Sequence, residues 1–430
     1  MSTNFRSPGS PARPGVPTAA DRYFELKSDI HKKLISVLNY EQLAELPKER
    51  MRAEIGRIVE RLLEEERVPM NTAEQNKIIE EVLDEALGLG PLEPLLKEPT
   101  ISDILVNRHN RVFIERNGKL SLTGVRFKDD AHLLHIIEKI VSQVGRRIDE
   151  AQPIVDARLP DGSRVNAIIP PLALDGPSLC IRRFGRHVIT NDEMVKGKTV
   201  TPNMLRFLNA CVEAKTTVLI SGGTGSGKTT MLNALSRAIP EEERVITIED
   251  TAELQLQQRH VVKFETRPAN IQKEGAITQR ILLRTALRMR PDRIIVGECR
   301  GSEALDMLQA MNTGVEGSMS TVHANSPRDA LLRLEMLAGF SGFQGQDVTL
   351  KNMIATALDL VIQVGRLSDG RRRILAISEV LGVQDGRIVT NELFVYQPER
   401  KVFEATGLSP ANPKLRLRDD DQAVKFHRSW

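Results

Sequence analysis

Cysteine is scarce in this sequence: Cys180, Cys211 and Cys299 are the three present, and no two form a C-x-x-C pair. That spacing excludes a four-cysteine zinc element and a disulfide framework, and it suits a reducing, cytosolic setting. Aromatic residues make up only 4% of the chain, which argues against a stacking platform for single-stranded nucleic acid. An excess of one charge is missing too. The 60 basic and 57 acidic residues leave a net +3, a mixed surface that does not by itself point to nucleic acid. No apolar run approaches the roughly 18–20 residues that span a bilayer. The N-terminus has no hydrophobic core of the signal-peptide kind. Work at a membrane would therefore require recruitment by a protein partner. No internal repeat is found, and no LSGGQ-like signature of transporter ATPases.

A chain of 430 residues has room for two or three domains, each with its own core. Residues 1–20 are rich in Pro, Ser, Gly, Ala and Thr and read as a disordered tail. Residues 21–97 read as a small helical bundle, with Ile55, Ile58 and Leu62 at helical spacing. Thr72 and Gln75 have capping-box spacing ahead of Ile79, Val82, Leu83 and Leu87, and Gly88 to Pro91 stops that helix. This bundle is either a spacer or a docking module. Residues 98–185 read as an α+β domain of short strands, with one helix at about Asp130–Val144 and a hairpin signal at Asp161-Gly162. The polar stretch 186–198 reads as a linker. Apolar strands then alternate with helices across 199–408, which predicts an α/β domain with a mostly parallel sheet, and 409–430 reads as a mobile tail.

The chemistry concentrates in that last domain. Gly222, Gly223, Thr224, Gly225, Ser226, Gly227, Lys228 and Thr229 form a complete G-x-x-x-x-G-K-[ST] pattern. The β-branched run Thr216–Ile220 precedes it, and Met231, Leu232, Leu235 and Ile239 follow at helical spacing. Strand, glycine loop and helix are the context in which such a pattern binds phosphate. Backbone N–H groups turn inward as an anion nest, and the helix N-terminus adds partial positive charge. Lys228 can reach β- and γ-phosphates, the Thr229 hydroxyl can hold Mg²⁺, and Thr230, next in the first helical turn, is counted with the nucleotide-binding residues. A nucleoside triphosphate, ATP with Mg²⁺, is the expected ligand.

Phosphoryl transfer also needs metal ligands, a residue to orient the nucleophile, and cations for the developing charge. The strand Arg244–Ile248 ends in Glu249-Asp250, with Glu253 one turn on; the strand Ile294–Val296 ends in Gly297-Glu298; the strand Met319–Val322 ends at His323. Side chains just past the carboxyl ends of parallel strands face the ligand crevice. An Asp usually precedes the glutamate of such a strand, but here the position is Gly297, leaving Glu298 to meet the Mg²⁺ shell or the attacking water. Arg280, Arg284 and Arg288 recur at four-residue spacing, followed by Arg290 and Arg293; they suit a solvated face or contacts with a subunit or nucleotide. Arg158, Arg164, Arg182 and Arg183 cluster around the α+β hairpin and last strand, and their fork suits phosphates.

Taken together these motifs resemble the type II/IV secretion ATPase superfamily. The phosphate loop is Gly222–Thr229, the acidic box Ile248–Glu253, the atypical Walker B segment Arg290–Glu298, and the histidine box runs from Thr313 to Asn325. Asp156–Asn166 and Ile181–Phe184 look like the CpaF-type branch that serves tight-adherence (Tad) pili. The resemblance implies a RecA-like C-terminal ATPase domain preceded by an α+β (PAS-like) domain. It implies a homohexameric ring with ATP held between the two, and hydrolysis that drives a pilus or secretion machine through an inner-membrane platform protein. The catalytic roles carry over to Glu249 or Glu253, Glu298, His323 and Lys228, and nucleotide contacts from the N-terminal side to Arg158, Arg164, Arg182 and Arg183. No stoichiometric zinc and no nucleic acid are expected, and the setting is the cytoplasmic face of the inner membrane. A RecA-type nucleic-acid motor, a metabolite kinase and a nucleotide-gated scaffold are the rival readings.

Overall fold

Two sheets organise the protein, one in each of the units 1–184 and 185–430 into which the chain divides. The computed structural model describes residues 19–38, 47–66, 68–116, 118–183, 189–267, 269, 274–343 and 345–416. The expected tail at 1–20 lies outside the described residues up to residue 18, and the expected mobile end lies outside them from residue 417.

In the first unit, helices α1 (Ala19–Val37), α2 (Lys48–Glu66) and α3 (Thr72–Leu87) enclose a core that includes Ile30, Leu34, Ile55, Val59, Ile78 and Val82. The capping box of α3 sits one residue earlier than its sequence suggests. Asn71 Oδ1 accepts from the Glu74 N–H at 2.9 Å, and Glu74 returns a carboxylate to the Asn71 N–H at 3.0 Å. Asn is at least as good a cap as Thr, so Thr72 becomes the first helical residue. After a short helix α4 (Glu93–Lys97) come β1 (Ile101–Arg108), β2 (Arg111–Arg116), β3 (Lys119–Leu122), helix α5 (Asp130–Gln143), β4 (Ile154–Arg158), β5 (Arg164–Ile168) and β6 (Ser178–Arg182). The six strands form an antiparallel sheet in the order β3-β2-β1-β6-β5-β4. Leu133, Ile136, Ile137 and Ile140 of α5 share its core.

The second unit opens where a linker was expected. Instead, helix α6 (Asn191–Lys196) begins at a reciprocal capping box of Thr190 and Glu193, and its Met194 is buried in the core with Val200. A six-residue polar helix has little apolar periodicity, so only the Thr-x-x-Glu signature marks it in the sequence. Helix α7 (Pro202–Glu213) follows. Then come β7 (Val218–Gly222), α8 (Lys228–Ser236), β8 (Val245–Glu249), β9 (Val261–Glu265), α9 (Gln279–Ala286), β10 (Arg293–Cys299), α10 (Glu303–Asn312), β11 (Met319–Val322), α11 (Pro327–Gly339), α12 (Asp347–Ala357), and β12 (Leu360–Arg366). The long strands β13 (Arg372–Gln384) and β14 (Arg387–Gln397), with β15 (Val402–Ala405), complete the unit.

The sheet order is β15-β14-β13-β12-β7-β11-β10-β8-β9. The six strands from β12 to β9 pair in parallel, and β13 to β15 extend the sheet antiparallel. Both faces of the parallel part are covered, which explains the unbroken apolar runs. Val218 and Ile220 point into one core and Leu219 into the other, as the two-residue period of a strand requires.

Two further expectations change. The chain does not loosen at residue 409: Leu415 is buried, and Glu379 accepts hydrogen bonds from the N–H groups of Ala411 and Asn412 at 3.1 and 2.6 Å. The arginine row divides: Arg284, Arg288 and Arg290 are exposed, as a solvated face requires, while Arg280 is partly and Arg293 fully buried. Arg280 and Arg284 both pair with Asp306 of α10 at 2.7 Å. Arg293 is fully buried: it pairs with Glu243 through two nitrogens, at 2.5 and 3.1 Å, and donates to Val212 O and Gly317 O. Removing the guanidinium would leave the Glu243 carboxylate, whose side chain is 12% exposed, with only Lys215 at 4.0 Å as an ion-pair partner among the described residues. Arg293→Ala is therefore expected to cost about 3 kcal/mol, at the low end for a broken buried pair, and to lower the melting temperature by about 6–12 °C in calorimetry. Unchanged melting would show that the pair adds nothing. Among the described residues no helix is long and apolar enough to cross a membrane.

Candidate functional site

The phosphate-loop pattern lies between β7 and α8, the middle strand of the nine-stranded sheet and the helix that follows it. Its glycines are needed for two different reasons. Gly225 and Gly227 have φ of +68° and +97°, the left-handed region that side chains disfavour. Gly222 is closed by packing: a Cβ there would collide with Val364 O and Ser226 Oγ. Gly227 caps α8 without a side chain, so Lys228, Thr229 and Thr230 form its first turn and the helix N-terminus opens into the loop. Lys228 Nζ donates to Gly222 O at 3.0 Å and Gly223 O at 3.1 Å. The Ser226 hydroxyl is buried without a hydrogen-bond partner among the described residues. A cation held at the loop mouth and an unsatisfied buried donor fit a phosphate group.

Parallel pairing then brings the other candidates to the same edge. Register pairs Val322 with Ser221, Cys299 with Val322, and Ile248 with Val296. The carboxyl ends of β7, β11, β10 and β8 thus present, in spatial order, the loop, His323, Glu298 and Glu249. Glu298 is paired: its Oε2 accepts a hydrogen bond from Arg300 Nη2 at 2.7 Å. Burial raises the Glu298 pKa, but the Arg300 hydrogen bond and the charges of Arg300, Lys228 and His323 outweigh it, and the carboxyl ends below the ordinary glutamate value. Arg300 in turn is held protonated by Glu298, with Asp250 and Glu253 adding to the same effect. His323 is exposed at the edge.

The two acidic-box glutamates separate clearly. Glu249 is buried, 3% exposed, and its Oε1 accepts the N–H groups of Glu253 and Leu254 at 2.9 and 3.0 Å. Glu253 is half-buried. Sequence reading missed two cations beside the loop. Arg372 Nε donates to Gly225 O at 3.0 Å, and Arg366 Nη1 lies 3.8 Å from where a Cβ of Gly225 would be. They flank the turn between β12 and β13, and reach the loop because Val364 of β12 pairs with Gly222. No local signal marks them, since nearly 150 residues of chain intervene between Gly225 and Arg372.

The four N-terminal arginines lie in the other unit. Arg158 pairs with Arg164 across β4 and β5, and Arg164 with Arg182 across β5 and β6, so three of them form one cross-strand row. Arg182 also approaches Asp103 at 3.5 Å. Arg183 is apart from the row: its guanidinium donates to the carbonyls of Glu98 and Ile101, holding the turn before β1.

Comparison with known proteins places these features in a family. The model of the type II/IV secretion system protein family matches residues 85–404. A Mycobacterium tuberculosis (strain H37Rv) protein named for conjugal transfer is 37% identical over 310 residues, which are 71% of this chain and 87% of that one. The type IV secretion system protein VirB11 of Brucella suis is 32% identical over 322 residues, covering 68% and 88%. The crystal structure of a VirB11 ATPase from the Brucella suis type IV secretion system, in complex with sulphate, shares 28% identity and covers 67% of this chain and 95% of its own, with a TM-score of 0.37. With a family model spanning three quarters of its length, the chain belongs to the type II/IV secretion system proteins.

Proposed function

We propose that the protein is an ATP-hydrolysing motor that works as a homohexamer on an inner-membrane platform protein, from the cytoplasmic face, to assemble a pilus or a related secretion machine. The observation that carries this reading is the single sheet edge where the phosphate loop, Glu298, His323 and the acidic box converge. Lys228 and the loop amides bind the phosphates. Thr229 and Glu298 hold Mg²⁺, in part through water, and the bound ion neutralises charge on the phosphates. Glu298, ionised because Arg300 and Lys228 keep it so, suits holding water in place better than accepting a proton. Glu253, half-buried one turn beyond the buried Glu249, takes the role of base. His323 reports on the γ-phosphate. The Arg158–Arg164–Arg182 row of the α+β domain suits a polyphosphate, and Arg183 braces that domain. The Tad branch is favoured by the Asp156–Asn166 and Ile181–Phe184 segments and by cysteines too few and too scattered for the zinc element of other branches.

The purified full chain is expected to release phosphate from ATP only with Mg²⁺, and cells lacking it are expected to lose their Tad pili. A chain that binds no nucleotide by calorimetry would sink the motor reading. A pilus that assembles normally without the protein, while another secretion process fails, would move it to a different machine.

A further inference from the structure

Gly297 stands where a strand of this kind usually carries an Asp. It also lies against the most enclosed carboxylate of the site. A Cβ on Gly297 would come 2.8 Å from Cγ of Glu249 and 3.3 Å from its Oε1, so the space a side chain at 297 would need is already filled. The backbone there is fixed from the other side as well, since Thr321 Oγ1 donates to Gly297 O at 2.8 Å. Glu249, for its part, is 3% exposed and cannot move out of the way. Its Oε1 accepts from Glu253 N–H and Leu254 N–H, and its Oε2 lies 3.3 Å from the latter nitrogen. Those two amides begin the stretch Glu253–Gln258, which runs without a helix or strand of its own.

We propose that Glu249 is a positioning residue whose carboxylate, lodged in the space that Gly297 leaves open, fixes the acidic-box backbone and with it the place of Glu253. This rests on the ATPase reading above. It explains two facts at once: why the strand end has glycine in place of an acid, and why the acidic box has two glutamates four residues apart. One holds the loop, and the other is held by it. Buried N–H groups in an irregular segment need an acceptor, and a carboxylate supplies one strong enough to hold two. Displacing a catalytic group by about 1 Å commonly slows turnover about 100-fold while leaving the binding elements intact.

The test is a double-mutant cycle in the full chain. Glu249→Ala is expected to lower kcat about 100-fold with ATP affinity retained, and to speed hydrogen exchange at the Glu253 and Leu254 amides. Glu249→Gln, which keeps an oxygen at the same place, should recover most of the turnover. Gly297→Ala should lose about as much as Glu249→Ala, because its methyl group pushes the same side chain. The double variant should be no worse than either single, since the clash and the carboxylate vanish together. Losses that multiply to about 10⁴-fold, unchanged exchange in Glu249→Ala, or full turnover in either single variant would each overturn the proposal. If Glu249→Ala does not fold, Gly297→Ala and Glu249→Gln still decide, as a fully active Gly297→Ala refutes it alone. Lys228→Ala separates the two levels of the argument. If that variant keeps its turnover, the ATPase reading fails. If it loses turnover while Glu249→Ala keeps it, only the positioning role fails.

Discussion

Lys228→Ala is expected to reduce ATP hydrolysis by about 10³-fold or more while the protein stays folded. The two halves of this result have separate causes. Lys228 Nζ touches no apolar core; it donates to the carbonyls of Gly222 and Gly223 at the mouth of the loop. Alanine at the start of α8 suits a helix at least as well as lysine does. The melting temperature should therefore hardly move. The lost charge, however, is one that meets the transferring phosphoryl group, and cations in that position are worth several orders of magnitude in rate. A steady-state phosphate-release assay beside a thermal melt tests both halves. Turnover retained in a folded variant would show that this loop does not carry the reaction, and a variant that fails to fold would show that the lysine braces the loop.

How much of this was legible in the sequence depended on how local each constraint is. The loop was legible because glycine spacing, the apolar strand before it and the helix after it lie within about thirty residues, and each reports a backbone requirement. Glu298 and His323 were legible as strand ends, because a fully buried strand announces where it stops. What escaped depends on pairing between distant segments. The burial of Glu249 follows from the missing side chain at Gly297, a neighbour across β8 and β10 and not along the chain. Arg372 reaches Gly225 only through the pairing of β12 with β7. Arg293 read as one more cation in an arginine-rich stretch, yet it is fully buried against Glu243. Helix α6 was hidden by its polarity, although its capping box was present in the letters. The arginine row of the α+β unit was legible as a cluster, but not its division into Arg158, Arg164 and Arg182 on one side and Arg183 on the other, which needs the register of three strands.

Glu298→Gln should keep nucleotide binding and slow turnover about 10²–10⁴-fold, the range for removing an acid–base or orienting group. The substitution preserves shape. It removes the negative charge that holds Arg300 and that lies within the fields of Lys228 and His323. Binding should survive because the loop itself is untouched. The pH dependence has a definite sign. The folded carboxyl titrates below the ordinary glutamate value, because the pull of Arg300, Lys228 and His323 outweighs the opposing effect of burial. Its ionised form is then present throughout the neutral range. Turnover that depends on it should fall only as pH drops through that lowered value, and any stability gained from its ion pair is lost in the same acid window and not above neutrality. Wild-type kcat should thus be flat from mildly acidic pH to neutrality, unless another group titrates there. The Gln variant should lack the acid limb altogether, with Arg300 left beside an uncharged amide. A Gln variant with near-normal turnover would show that the Glu298 charge is not needed to hold the water and would leave the acid–base work to the acidic-box glutamates. One that fails to bind ATP would mean that Glu298 belongs to the binding step, and the pocket's tolerance of an isosteric amide would have to be read from Arg300 instead.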